Sequence, residues 1–266
     1  MPKEINRIDK KFSELKGRKK GAFIAFIAAG YPNLKVTEKL IIEFEKNGVD
    51  IVELGVPFSD PMADGPVISQ AYFEALKNNT SLKDIVNLVG RLRRRVDIPI
   101  LLMTYYNPVF ALGEDKFIAQ ASKNGVDGVI IPDLPPDENK HFMFKAERVG
   151  LRPICFISPT TSFKRMKTIL KLARGFIYYV SLTGVTGARK SLPVDLRGNV
   201  KRIKRNTKVP VCVGFGLSEA RQIRQVTGFA DGFIVGSAIV SKIKENINNP
   251  YLIKRVVNFV KGLRNE

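Results

Sequence analysis

Hydrophobic positions along the chain follow two periods, with short apolar runs separated by amphipathic stretches of roughly ten to fifteen residues. The runs predict strands at residues 22–28, 51–54, 98–103, 128–131, 152–157, 176–181, 209–213 and 232–235. They are nearly continuous rather than alternating, which suits strands buried on both faces of a parallel sheet. The amphipathic stretches predict helices at 36–47, 82–95, 116–124, 139–149, 162–173, 195–205, 218–225 and 237–246. Ser218 before Glu219, and Thr80-Ser81 before Leu82, read as helix starts, because a side-chain oxygen there takes an unpaired first-turn N–H.

The chain also repeats itself weakly. Gly48-Val49-Asp50, Gly125-Val126-Asp127 and Ala230-Asp231-Gly232 each close a predicted helix and open a predicted strand. Glycine lets a helix stop in a left-handed conformation, and aspartate turns the chain into the next strand. Pro99, Pro153 and Pro210 stand second in three other strands, where a missing N–H costs little. Eight βα units in about 250 residues fit a closed (β/α)8 TIM barrel, a single domain over residues 1–266. The alternative is an open doubly wound sheet, since periodicity does not report closure. An additional N-terminal amphipathic helix, over residues 5–16, is expected to plug the bottom of the barrel.

Composition narrows the function classes. No apolar stretch approaches the eighteen residues of a membrane-spanning helix, and the first twenty residues contain no apolar secretory core. Cys155 and Cys212 are the only cysteines and His141 the only histidine, so a Cys/His zinc site is excluded and no metal site is expected. Two cysteines make no disulfide framework, which reads as a reducing, cytoplasmic setting. Both are expected to be buried packing residues, and His141 to lie at the surface. The formal charge of +19 raises nucleic acid as a partner. However, the motif-dense segment 51–80 carries Glu53, Asp60, Asp64 and Glu74 against the single base Lys77. The bases elsewhere sit at helical spacings, so they read as solvated helix faces and no specific nucleic acid is expected.

In such a barrel the chemistry lies at strand C-termini and in the loops after them. Glu53 stands near the end of the second strand among Ile51, Val52 and Leu54, and the stiff loop 55–66 brings Asp64. Alone, Glu53 reads equally as a structurally paired residue and Asp64 as a helix cap. Together they form a carboxylate pair around one pocket, and unlike environments would separate their pKa values into an acid and a base. Glycine-bearing segments come after the last three strands: Thr183 to Arg189, Gly214-Phe215-Gly216 and Gly236-Ser237. Glycine permits close backbone approach, and N–H groups at helix starts attract an anion, so a phosphomonoester substrate is expected. Phe26, Leu102, Tyr178 and Phe215 read either as core packing or as walls for a flat ring. Asp133 lies at the mouth after the fourth strand.

The run from Glu53 through Asp60-Pro61-Met62-Ala63-Asp64 to Gly65-Pro66 closely resembles the signature of the tryptophan synthase alpha chain family. Leu102 to Pro108, Gly184-Val185-Thr186-Gly187, Gly214-Phe215-Gly216 and Gly236 to Val240 resemble it too, over residues 20–245. One departure is Ser69, where the family usually has Gln. The resemblance implies a lyase of tryptophan biosynthesis, without cofactor, that cleaves indole-3-glycerol phosphate to indole and glyceraldehyde 3-phosphate. It implies Glu53 as the acid that protonates indole C3 and then the base toward the glycerol hydroxyl, with Asp64 on the indole N–H. Phe26, Leu102, Tyr178 and Phe215 would enclose the indole, with Thr186 also against substrate, and Gly187, Gly216, Gly236 and Ser237 would hold the phosphate. The loops after the second and sixth strands would close over it. The implied partner is a pyridoxal-phosphate-dependent beta chain, in an alpha-beta-beta-alpha complex, met at Asp60 and Pro61.

Overall fold

The computed structural model describes residues 5–180, 192, 193, 195–214 and 216–264. Eight parallel strands close on themselves in chain order. They are β1 (Ala22–Ala28), β2 (Ile51–Gly55), β3 (Ile100–Met103), β4 (Gly128–Ile130), β5 (Arg152–Ile157), β6 (Ile177–Val180), β7 (Val211–Gly214) and β8 (Gly232–Val235). β8 pairs back onto β1, with Ala22 opposite Gly232 and Ala25 opposite Val235, so the open-sheet alternative is excluded. Each predicted strand forms, three with the predicted bounds and the others with ends that move by at most two residues; Ser181 lies outside the described residues. Pro99 and Pro210 stand just before β3 and β7 rather than inside them, because proline has no N–H for a ladder. Pro153 does lie within its strand.

Around the barrel run α1 (Arg7–Gly17), α2 (Leu34–Lys46), α3 (Pro66–Lys77), α4 (Leu82–Leu92), α5 (Tyr106–Leu112) and α6 (Glu114–Lys123). After them come α7 (Lys140–Arg148), α8 (Phe163–Leu172), α9 (Leu196–Lys204), α10 (Ala220–Thr227), α11 (Ser237–Lys244) and α12 (Leu252–Arg264). The sequence pattern gave no range for three of these. α3 is signalled only by Pro66 at its first position, α5 is a short helix containing Pro108, and α12 lies beyond the last βα unit, where no alternation calls for it. Ser81 caps α4 through a reciprocal box with Asp84. Ser218 does not cap α10. The cap is Glu219, because the Gln222 side chain reaches back to accept the N–H groups of both Ser218 and Glu219.

α1 fills the N-terminal end of the barrel, as its amphipathic pattern predicts. Asn6 caps it by accepting from the Ile8 N–H and donates to the carbonyls of Asp127 and Gly150, each at 2.8 Å. Ile8 is fully buried, and a Cβ on Gly128 would lie 2.9 Å from Ile8 Cδ1. The aspartates of the weak repeat act as staples between neighbouring strands. Asp50 accepts from the Phe23 N–H at 2.9 Å, Asp127 from the Ile100 N–H at 2.8 Å and Asp231 from the Val211 N–H at 2.9 Å. Each returns its own N–H to the carbonyl of the same residue. The sequence reading of these residues as turn formers was therefore incomplete, since a period along the chain does not show which neighbour a carboxylate meets.

Register fixes which residues face the interior. Phe26, Glu53 and Leu101 lie side by side, as do Ala28, Gly55 and Met103. Successive strand residues point to opposite faces, so these two sets, two residues apart, share the inward face, and the residues between them face the helices.

Candidate active site

Glu53 sits in the middle of β2, pointing into the barrel, and is fully buried. Neither of its carboxyl oxygens has a hydrogen-bond partner among the described residues. After Gly55 the chain leaves the barrel, held by the Val56 N–H donating to the Met103 carbonyl at 2.8 Å. It turns at Asp60 to Asp64, where the Met62 N–H donates to the Asp60 carbonyl and the Asp64 N–H to the Pro61 carbonyl. Those turns return Asp64 over the barrel mouth, where it is buried, while Asp60 is exposed and Pro61 half-buried. Asp64 does not cap α3. The cap position is Gly65, without a side-chain bond, and Asp64 Oδ2 instead accepts from the Tyr105 hydroxyl at 2.7 Å. The same hydroxyl accepts from the Ala63 N–H at 2.9 Å, and the Tyr105 ring stacks on Phe58. Tyr105 thus clamps the loop after β2 to the end of β3.

The two carboxyl groups have different protonation states at neutral pH. Burial, and then the charge of Asp64, push Glu53 up from 4.5 to about 8. Burial also raises Asp64, but the Tyr105 hydrogen bond holds it to about 6. At pH 7 the pair therefore presents a protonated Glu53 and an ionised Asp64, one proton donor and one anion.

Both line a cavity of about 250 Å³ together with Phe26, Tyr178, Met103, Phe156 and Ile234. Leu102 is buried but is not among the lining residues; its register places it one residue off the inward set, toward the helices, and Met103 takes the place at the wall. Parity along β3 could have been read only from a known neighbour register. Gly216, Gly236 and Ser237 also line it. Gly216 adopts φ +56°, a left-handed conformation that favours glycine, and Gly236 precedes α11, whose first-turn N–H groups have no acceptor within the helix. A Cβ on Gly236 would lie 3.3 Å from Phe26 Cδ1. No lysine or arginine lines the cavity among the described residues, so an anion bound there would rest on backbone groups. Thr186, Gly187 and Phe215 lie outside the described residues.

Asp133, at the mouth, accepts from the Tyr106 N–H at 2.9 Å and so anchors the start of α5. Cys155 and Cys212 are buried and His141 is exposed. Among the described residues no cluster of His, Cys, Asp and Glu has the makings of a metal site, and no helix is long and apolar enough to cross a membrane. Tyr105 was missed as a site residue. Its signal was only its place two residues past a strand end, which does not name its partner.

The profile of the tryptophan synthase alpha chain family matches residues 12–265. The tryptophan synthase alpha chain of Geobacter sulfurreducens is 47% identical over 260 residues, covering 98% of each chain. That of Geotalea uraniireducens is 46% identical over 260 residues, covering 98% of this chain and 97% of its own. Among solved structures, the tryptophan synthase alpha subunit of Legionella pneumophila superimposes with a TM-score of 0.91 at 37% identity, covering 98% of both chains. A chain of Mycobacterium tuberculosis tryptophan synthase does so with a TM-score of 0.89 at 32% identity, covering 99% of this chain and all of that one.

Proposed function

The chain belongs to the tryptophan synthase alpha chain family, and from that premise we propose that Glu53 and Asp64 are the acid–base pair with which it cleaves indole-3-glycerol phosphate to indole and glyceraldehyde 3-phosphate. The observation that carries this reading is the buried, unpartnered, raised carboxyl of Glu53 beside an ionised Asp64. The bond from indole C3 to the glycerol side chain breaks only after C3 gains a proton, and Glu53 holds one at neutral pH. Asp64 accepts from the indole N–H and stabilises the positive charge that spreads over the ring. The Glu53 carboxylate then takes the proton of the adjacent glycerol hydroxyl as the bond breaks, so a single group serves as acid and base.

Phe26, Tyr178 and Met103, all on the cavity wall, enclose the indole. Gly216, Gly236 and Ser237 hold the phosphate through N–H groups, and by family likeness Gly187 joins them, while Phe215 adds to the indole's enclosure and Thr186 touches substrate. The family works with a beta chain, which carries the pyridoxal phosphate and consumes the indole. The exposed Asp60 and half-buried Pro61 are our candidates for the contact that reaches Asp64 from that side. The two free, buried cysteines suit work in the cytoplasm.

Steady-state indole formation tests the reading. Glu53→Gln is expected to lose on the order of a hundredfold or more in turnover, the usual scale for removing a general acid–base group, with native circular dichroism. A cognate beta chain is expected to speed the wild type, and Asp60→Ala to weaken that activation while leaving the slow rate of the isolated chain unchanged. Turnover of Glu53→Gln within a few-fold of wild type would remove Glu53 from the chemistry.

A further inference from the structure

Four buried side-chain oxygens lack a hydrogen-bond partner among the described residues: both of Glu53, and the hydroxyls of Tyr72 and Tyr179. Tyr179 is one residue off the inward-facing Tyr178 and belongs to the helix side of β6. Tyr72 belongs to the site. It lies midway along α3, the helix that leads directly from Asp64, and is fully buried. A Cβ on Gly55 would lie 2.4 Å from the Tyr72 hydroxyl oxygen and 2.6 Å from Phe26 Cζ. The phenol therefore occupies the space that glycine leaves open at the C-terminal end of β2. Gly55 is the next residue after Glu53 on the same inward face, about 6.6 Å along the strand, and a glutamate side chain spans most of that rise. The hydroxyl and the Glu53 carboxyl are therefore neighbours on the inward face of β2.

The groups that face Tyr72 are Asp64 and Tyr105 at the mouth, Glu53 below and Tyr178 across the barrel. Asp64 already has a donor in Tyr105. Burial, first of all, holds the Tyr72 proton well above the ordinary tyrosine range, and that of Tyr178 likewise, so both remain donors at working pH. A buried donor without an acceptor and a buried acceptor without a donor are each costly alone.

We propose that Tyr72 is a positioning residue for the acid–base step, its hydroxyl donating to the carboxylate that Glu53 becomes once its proton has passed to the indole ring. The inference rests on the role given to Glu53 above. The Glu53 proton goes to indole C3, leaving the electron pair on the carboxylate and positive charge on the ring. The Tyr72 O–H holds that carboxylate in place. The carboxylate next removes the proton of the hydroxyl on the carbon attached to C3. That carbon becomes the aldehyde as the C–C bond breaks, and the bonding electrons return to the ring.

Tyr72→Phe keeps the ring and removes only the donor. Losing a hydrogen bond to the charged form raises the pKa of the acid. Turnover is expected to fall about tenfold with the Michaelis constant within about twofold, while the alkaline limb of the turnover profile moves up by about one pH unit. The infrared carbonyl band of protonated Glu53, identified by its loss in Glu53→Gln, is expected to persist to correspondingly higher pH. A purely structural role for Tyr72 would lower the melting temperature or raise the Michaelis constant without moving either titration. An unmoved limb and an unmoved band in Tyr72→Phe, with Glu53→Gln inactive, overturn the assignment of Tyr72 alone. Near wild-type turnover of Glu53→Gln overturns the role of Glu53 and this inference with it.

Discussion

Asp50 and Glu53 flank the first half of β2, and both are buried. Asp50, at the N-terminal end, accepts from the Phe23 N–H and from Arg264 Nη1, each at 2.9 Å. Glu53, three residues higher, has no partner among the described residues. The same division runs round the barrel. Asp127 below is held by Arg93 at 2.6 Å, Arg7 at 3.2 Å and the Ile100 N–H, and Asp231 by Lys204 and the Val211 N–H. Asp64 above has one neutral phenol. The lower carboxylates are satisfied and hold strand starts together. Of the upper ones, Glu53 has no partner among the described residues and Asp64 only the Tyr105 hydroxyl, which on the reading proposed above leaves room for a substrate. Barrels of this kind can separate the two demands because strands deliver one end to stability and the other to chemistry.

The largest effect should come from neutralising the unsatisfied end. Glu53 has its folded-state pKa raised from 4.5 to about 8. Below about pH 4.5 it is protonated in both folded and unfolded chains and the stability it contributes is fully present. Between there and pH 8 the unfolded chain releases a proton that the folded chain keeps, so that stability is lost as pH rises. Glu53→Gln should therefore match wild type in urea near pH 4.5 and exceed it by on the order of a few kcal/mol at pH 8. A stability difference that stays flat across that range would mean that Glu53 is not held at the cost proposed for it.

The same residues show how far this contrast was legible in the sequence. The strands, the count of eight units, the bottom plug and the Glu53/Asp64 pair could all be read from period and spacing, because each depends on local pattern, whereas closure shows only in the pairing of β8 with β1. The staple role of Asp50, Asp127 and Asp231 could not, since Phe23, Ile100 and Val211 lie on the neighbouring strand and more than a helix away in sequence. Tyr105 and Tyr72 were missed for the same reason, and Leu102 was chosen over Met103 because inward parity depends on register. Position along the chain identified the chemical groups. Only packing identified their partners.

Breaking the satisfied end should come next in size, and it should leave the chemistry alone. Asp127 is 3% exposed in its ion pair with Arg93, which is itself 11% exposed. Burial raises the Asp127 pKa, and the two arginines, Arg93 foremost, pull it back. Asp127→Ala leaves the Arg93 guanidinium without its anion and the Ile100 N–H without its acceptor, a loss of about 3 kcal/mol in guanidinium denaturation. The pH profile of indole formation should keep its shape, because Asp127 lies at the far end of the barrel from Glu53. A shifted profile would show that the two ends are electrostatically coupled.

The smallest effect should separate the two jobs of a lower aspartate. Lys204 and Asp231 form an ion pair at 2.7 Å, but their side chains are 38% and 34% exposed, so water and salt screen most of the attraction. Asp231 Oδ2 accepts from the Val211 N–H at 2.9 Å without any help from the lysine, whose partner atom is the other oxygen. Lys204→Met keeps the aliphatic stem over the barrel wall and removes only the charge, and should cost less than about 1 kcal/mol, with little dependence on salt. Asp231→Ala removes the staple as well and should cost more, by roughly the 1 to 3 kcal/mol of a buried N–H left unpaired. Urea denaturation of both variants at low and high salt makes the comparison. If Lys204→Met were as costly as Asp231→Ala, the ion pairs rather than the strand staples would be what the lower carboxylates contribute, and the division between the two ends would rest on charge compensation alone.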